Sequence, residues 1–274
     1  SAYNTGKNKW KLRFNRGHYF KGRDDYGKAY KEKVRTLNWS ALASPLNPAN
    51  RGAAGLDEAL AFRFWKRAGI ISRNANYFHL RVIDGADEPD DTDQIDGDNW
   101  GDYLAIDHSD PRCLDERGLP DGNTFNMHFN SSSIINEAAG QPHDRSDLFA
   151  FTGTGEDGYN RSPIQPVSWW DANVDLDSSF SYRSVVEALN HSDLRDRENS
   201  NLYRNPVTGK WTMIPWDVDL MFEEFDRWGP GGVQGSAELE QFRKCLTHPE
   251  LNIRFQNRAR ELRDLLLNDD QGWT

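Results

Sequence analysis

Apolar and basic residues alternate at the start of the chain, with Trp10, Leu12 and Phe14 set between Lys9, Lys11 and Arg13. A period of two predicts a strand with one buried face, and puts Lys7, Lys9 and Lys11 together on the other. Leu56, Leu60, Phe64 and Ala68 then fall at i+4 steps, which predicts a helix buried along that line and stopped at Gly69. Phe78, Leu80 and Val82 alternate as a second strand, with Tyr103 to Ile106 as its partner. From Phe129 to Trp170 there is little periodicity, and the segment reads as loops over a scaffold. Tyr182, Val185, Val186 and Leu189 form a helix face within Asp177 to Asn190, with Asp175, Asp177 or Ser178 as N-cap. Leu239, Phe242 and Leu246, then Leu251, Phe255, Ala259, Leu262 and Leu266, predict two further amphipathic helices. Strands first and helices last imply an α+β protein with a sheet-rich N-terminal lobe and a helix-rich C-terminal lobe, dividing near Asn130.

Composition narrows what such a protein does. The net charge of -10 disfavours an electrostatic nucleic-acid binder, which needs clustered Lys and Arg. Hydrophobic residues make up only 36%, but ten Trp, fourteen Phe and nine Tyr bring large apolar areas to a core. Apolar runs are too short for a membrane span or a signal-peptide core. Cys113 and Cys245 form one bridge or stay as two buried thiols, and the sequence leaves both open.

The acid is mostly aspartate, 29 Asp to 14 Glu, which favours loops and metal sites over helix faces. Eleven of the aspartates lie between Asp84 and Asp115. Counted from Asp91 as an EF-hand, the fifth position is Ile95 and glycine arrives one place late, so that register fails. A looser calcium site or a solvated acidic loop remains for this insertion.

The most informative stretch runs from Asn190 to Phe222. Asn201 to Arg204 and Trp211 to Ile214 flank a turn at Asn205-Pro206-Val207-Thr208-Gly209, a hairpin signal. With the turn centred near Thr208, Asn199 faces Asp217, so Asp193 and Asn199 on the entering loop converge with Asp217 and Asp219 on the exit. Phosphoryl transfer needs a carboxylate to accept the attacking hydroxyl's proton, and an Asn and an Asp to hold magnesium against the nucleotide phosphates. The same residues also serve to end a helix, turn the chain and close a strand. Metal-dependent glycosyltransferases use Asp-x-Asp as well.

Pro215-Trp216-Asp217-Val218-Asp219 resembles the Pro-Trp-Asp-Leu-Asp signature of the spore-coat CotH kinase-like family, and Asp193 to Tyr203 resembles that family's Asp followed by Asn and an aromatic strand. Further likenesses come in order: Lys7 to Phe14 to its lysine strand, Leu56 to Ala61 to its first helix, Gly101 to Asp107 to its Gly-x-Tyr strand, Gly118 to Asn123 to its Gly-Asn turn, and His248 to Leu266 to its closing helix. Together they span nearly the whole chain, as one domain over residues 1–274 with an N-lobe-like part to 130 and a C-lobe-like part from 131.

The resemblance implies a divergent, bilobal protein-kinase-like fold that transfers the γ-phosphoryl group of ATP, with Mg2+ or Mn2+, to Ser or Thr of a protein. Carried over residue by residue, Asp193 becomes the catalytic base, with Asp196 as substitute because the loop to Asn199 is one residue longer than usual. Asn199, Asp217 and Asp219 become metal ligands. Lys7, or Lys9 on the same strand face, reaches the nucleotide phosphates, and Glu58 orients it. Departures are also plain: the family's Arg-Gly and Ser-rich turn before the lysine strand is absent or only its tail remains, Asn126 replaces a lysine, and Asp107 replaces a glutamate. They keep open a catalytically inactive binding or coat-assembly module, and the glycosyltransferase stands third. The chain is expected to be part of a longer, exported or cell-surface protein, with a protein substrate as partner.

Overall fold

Two antiparallel sheets of four strands carry the fold in the computed structural model, which describes residues 8–42, 55–82, 98–128, 131–191, 199–221 and 240–266. The first contains β1 (Trp10–Arg13), β2 (Thr36–Ser40), β3 (Ala75–Val82) and β4 (Asp98–Asp107), in the order β1-β2-β4-β3. The second contains β5 (Thr124–His128), β6 (Ser131–Asn136), β7 (Ser200–Arg204) and β8 (Trp211–Pro215), in the order β6-β5-β7-β8. Seven described helices complete it: α1 (Leu56–Arg67), α2 (Pro111–Glu116), α3 (Ser146–Thr152), α4 (Val167–Asn173), α5 (Leu176–Ala188), α6 (Glu240–Cys245) and α7 (Pro249–Leu266). The α+β class expected from the sequence is therefore observed.

A shared apolar cluster joins the two sheets. It takes in Phe62 and Trp65 of α1, Leu104 and Ile106 of β4, Phe125 and Trp211 of the second sheet, Val186 of α5 and Leu251 of α7. Burying each large side chain here contributes about 1.5–3 kcal/mol. Trp65 has no exposed surface, stacks on Tyr182 at 5.7 Å and donates its indole N–H to the Tyr182 carbonyl. Asp175 caps α5, accepting from the Ser178 N–H, as one of the three expected N-caps does.

Two readings of the hydrophobic pattern are corrected. Along α1 the buried residues are Glu58, Ala59, Ala61, Phe62 and Trp65, while Leu56 is 54% exposed. The helix is rotated from the line Leu56-Leu60-Phe64, because α1 packs Trp65 against α5 and turns a carboxylate inward beside β2. The stretch from Phe129 to Trp170 is also more regular than loops, since it holds β6, α3 and α4. β6 begins Ser131-Ser132-Ser133, and both helices are two turns long, too short to express a 3.6-residue period.

The Gly122-Asn123 turn fixes how β5 meets β7. A Cβ at Gly122 would lie 2.2 Å from the Arg204 carbonyl oxygen, so only glycine permits this approach. Asn123 then donates to Pro142 O and accepts from Ala138 N, tying β5 to the chain after β6. Cys113 and Cys245 are both buried and unbridged, which decides between the two states the sequence left open. Burial pushes their thiols up, to about 11 and about 12. Among the described residues no helix is long and apolar enough to cross a membrane.

Candidate functional site

The site forms where the end of the β7–β8 hairpin meets the strand at the chain's start. Ser200 pairs with Pro215, and the Trp216 N–H donates to the Asn199 carbonyl at 3.3 Å, so Asn199 lies opposite Trp216. The expected pairing of Asn199 with Asp217 is thus one residue out, because the turn centres between Val207 and Thr208 and not on Thr208. Convergence survives the shift. Both residues leave the ladder through left-handed backbone, φ 54° at Asn199 and φ 52° at Asp217. Asn and Asp tolerate that region better than other side chains, and such outliers gather at functional sites.

Lys9 reaches this hairpin end from the other sheet. Its Nζ lies 3.2 Å from Asp219 Oδ2 and 3.8 Å from Asp217 Oδ1. Lys9 and Asp217 are each 45% exposed at the side chain, and Asp219 only 16%, so the cluster sits at a mouth and not in the core. Burial pulls the Lys9 ammonium toward neutrality, but Asp219, then Asp217 and Glu58, outweigh it and hold the group charged beyond an ordinary lysine.

Glu58 backs the cluster. It is 5% exposed on the inward face of α1, where burial and then repulsion from Asp219 push its carboxyl up to about 8, against the pull of Lys9 and a hydrogen bond with Ser40. Lys9, Glu58 and Asp217 line one cavity of about 240 Å³ together with Trp39, Ser40 and Trp216. Of the proposed site residues, the fold therefore brings together Lys9, Glu58, Asp217 and Asp219, with Asn199 at the paired end of the hairpin. Asp193, its substitute Asp196 and Lys7 lie outside the described residues, as does the acidic insertion of Asp84 to Asp115 up to residue 97. Its described end has structural work: Asp107 accepts from Tyr30, Arg117 and the Asn74 N–H, and Asp110 caps α2.

Two residues at the site carried no role in the sequence reading. Arg73 is 1% exposed; it donates to the Asp107 carbonyl at 2.6 Å and the Pro215 carbonyl at 3.2 Å, and lies 4.3 Å from the Trp216 ring centroid. It thereby clamps the end of β4 to the end of β8, just before Asp217. Burial lowers its pKa to about 10, leaving it charged at neutral pH. His191, two residues before Asp193, has no exposed surface and packs its ring edge on Trp65 at 6.4 Å. Burial holds it neutral, lowering its pKa to about 4. The sequence signal for His191 was its place ahead of an Asp and an Asn; Arg73 had none, since its partners are backbone atoms distant in the chain.

The donor set suits magnesium or manganese. Two carboxylates and an amide are hard oxygen ligands, and Mg2+ is commonly held by one or two carboxylates plus substrate phosphates instead of an all-protein cage. Among the described residues no group of three or more His, Cys, Asp or Glu is placed to hold a metal. Asp217 and Asp219 already share a cation, the Lys9 ammonium.

A family model described as CotH kinase protein matches residues 5–271, nearly the entire chain. No curated protein matches it.

Proposed function

The chain belongs to the CotH kinase family, and from that premise we propose that it is an atypical protein kinase, transferring the γ-phosphoryl group of metal-bound ATP to a Ser or Thr hydroxyl of a protein. The observation that carries this reading is the meeting of Lys9 with Asp217 and Asp219 in front of the buried Glu58. A cation beside paired carboxylates, with a third carboxylate behind it, is the constellation a phosphoryl-transfer site needs for its nucleotide phosphates.

In this reading Asp217, Asp219 and Asn199 hold Mg2+ or Mn2+. The metal supplies charge neutralisation for the phosphates as the bond to the γ-phosphorus changes hands. Lys9 is released from its carboxylate partners to face the phosphate oxygens, and Glu58 keeps the ammonium oriented. Asp193 accepts the proton of the attacking hydroxyl. Arg73 and the left-handed turn at Asp217 keep the carboxylates in place while Lys9 changes partners.

A thermal-shift panel tests the reading. ATP with Mg2+ or Mn2+ is expected to raise the melting temperature of the parent and leave Asp217→Asn unmoved. Protection by a UDP-sugar in place of ATP points to glycosyl transfer, and no nucleotide shift with any metal points to a non-catalytic module. A shift with Ca2+ alone, unaffected by Asp217→Asn, points to the acidic insertion.

A further inference from the structure

The first sheet has an outer face that the carboxylate cluster does not use. Lys9 turns toward Asp217 and Asp219, and side chains alternate along a strand, so Leu12 and Phe14 point the other way. There they line a cavity of about 610 Å³ with Phe20, Leu37, Trp39 and Phe78. Ligand sites occupy about 300–1,000 Å³. The cavity lies against a small apolar cluster, Tyr30, Val34 and Leu37, that is separate from the core shared by the two sheets.

Its wall is built and tied down. The connection from β1 to β2 doubles back on itself through the Phe20–Val34 and Arg23–Ala29 bridges. A Cβ at Gly22 would lie 2.7 Å from the Tyr30 ring, so the connection packs flush on that ring. Tyr30 donates its hydroxyl to Asp107 at 2.7 Å, and Asp25 holds Lys66 of α1 at 2.6 Å. Polar groups of the lining are thereby taken: Asp107 by Tyr30, and Asn76 by the Arg23 carbonyl. What stays open is apolar, and it continues past the cavity. Phe20 is 45% exposed, and Trp10, paired with Trp39 and 5.9 Å from Trp100, is 41% exposed. Contiguous apolar surface rimmed by polar residues marks an interaction site.

Charge says what kind of partner fits. From Phe14 to Arg35 the chain carries seven Lys or Arg against three acids, in a protein of net charge -10. Arg16, Lys21, Arg23, Lys28, Lys31 and Lys33 are all exposed. Asp25 is buried against Lys66, and Asp24 accepts from the Tyr26 and Lys28 N–H groups, so two of the three acids are engaged within the fold. Cations around an apolar hollow complement an acidic chain that carries bulky apolar side chains. Nucleic acid fits worse, because bases stack on free aromatic faces. Here Phe14 stacks on Phe20 at 5.6 Å and Trp39 packs on Phe78 at 4.7 Å.

We propose that this outer cavity is a docking site for an acidic segment of a partner protein, whose bulky apolar side chains enter the hollow between Phe14, Phe20, Trp39 and Phe78 while its Asp and Glu residues meet Lys21, Arg23 and Lys28. The site stands apart from the carboxylate cluster and holds whatever chemistry that cluster performs.

Fluorescence anisotropy on the full chain tests it with short labelled peptide pools: aromatic and leucine residues flanked by Asp and Glu, the same core flanked by Lys and Arg, and acidic flanks around a Ser/Gly core. Only the first pool is expected to bind. Its affinity should fall about tenfold or more in Ala105→Phe, which fills the cavity from β4, and persist in Asp217→Asn. Lys21→Glu/Lys28→Glu, at two exposed positions, gives the same weakening if Ala105→Phe does not fold. The proposal is overturned if no pool binds, if the basic or Ser/Gly pool binds as well as the first, if binding ignores the cavity and rim variants, or if Asp217→Asn abolishes it. Oligothymidylate or dodecanoate bound in place of the peptides, and weakened by the same variants, assigns the cavity to nucleic acid or lipid and likewise overturns it.

Discussion

Lys9 Nζ and Asp219 Oδ2 lie 3.2 Å apart across 210 residues of sequence, joining the first strand of one sheet to the segment leaving the last strand of the other. Neither side chain is deeply buried, so the pair contributes little to stability as a surface bridge. Its meaning lies in position: two carboxylates and an ammonium are already assembled at the mouth of a cavity, backed by a carboxylate that burial keeps from ionising easily.

Removing the ammonium should therefore affect activity and not folding. Lys9→Ala is expected to lower kcat/KM for ATP by about 10²–10³, the usual cost of losing one donor to transition-state charge. The melting temperature should stay close to that of the parent. Glu58→Gln should reduce activity less, because the lysine remains and only its orientation is relaxed. Steady-state kinetics beside thermal melts check both.

At Asp217 charge and backbone are separable. Asp217→Asn keeps a residue type that tolerates φ 52° and removes the charge, so the fold should be retained and Mn2+ affinity reduced at least tenfold. Asp217→Val forces a β-branched residue into the left-handed region and is expected to cost about 1–2 kcal/mol in addition. Urea denaturation and a manganese titration read by electron paramagnetic resonance separate the two effects.

Arg73 is expected to act on the site through position alone. Arg73→Met leaves the buried Asp107 and Pro215 carbonyls without this donor, and each such loss costs about 1–3 kcal/mol. Urea denaturation should show a loss of about 3 kcal/mol, and metal affinity should weaken because the Trp216-Asp217 segment is no longer clamped to β4. Loss of stability with metal affinity intact would contradict the clamp.

Buried His191 gives a pH dependence of definite sign. Its pKa falls from 6.5 to about 4 on folding, so the unfolded chain binds the proton first as the pH drops. Above pH 6.5 the imidazole is neutral in both states and adds no pH dependence, and stability declines between 6.5 and about 4 at up to about 1.4 kcal/mol per pH unit. His191→Met should flatten that part of the stability profile, measured by urea melts across the range.

Much of the frame was legible in the chain. The strand from Trp10, the helices around Val185 and Leu262, and the hairpin on either side of Pro206 follow from periodicity and turn residues that act over short distances. The hairpin also announced that Asn199 and Asp217 meet, one residue out of register. What periodicity misreads is the inward face of α1: Glu58 is buried because Lys9 and Ser40 receive it, and no local pattern encodes those partners. β6 is equally hidden, since it opens with three consecutive serines and is held to β5 through backbone pairing. Choosing Lys9 over Lys7 for contact with the Asp-x-Asp motif lay beyond sequence, and Lys7 and Asp193 lie outside the described residues.

The central claim is that Asp217 serves metal-dependent phosphoryl transfer, and labelling with ATP carrying radioactive γ-phosphate tests it most directly. Incubation of the chain with that ATP and Mn2+ or Mg2+, alone and with a Ser/Thr peptide library, followed by phosphoamino-acid analysis, should give label on serine or threonine that EDTA abolishes and Asp217→Asn reduces at least a hundredfold. Absence of metal-dependent label in the parent, or equal labelling of parent and Asp217→Asn, would contradict the account.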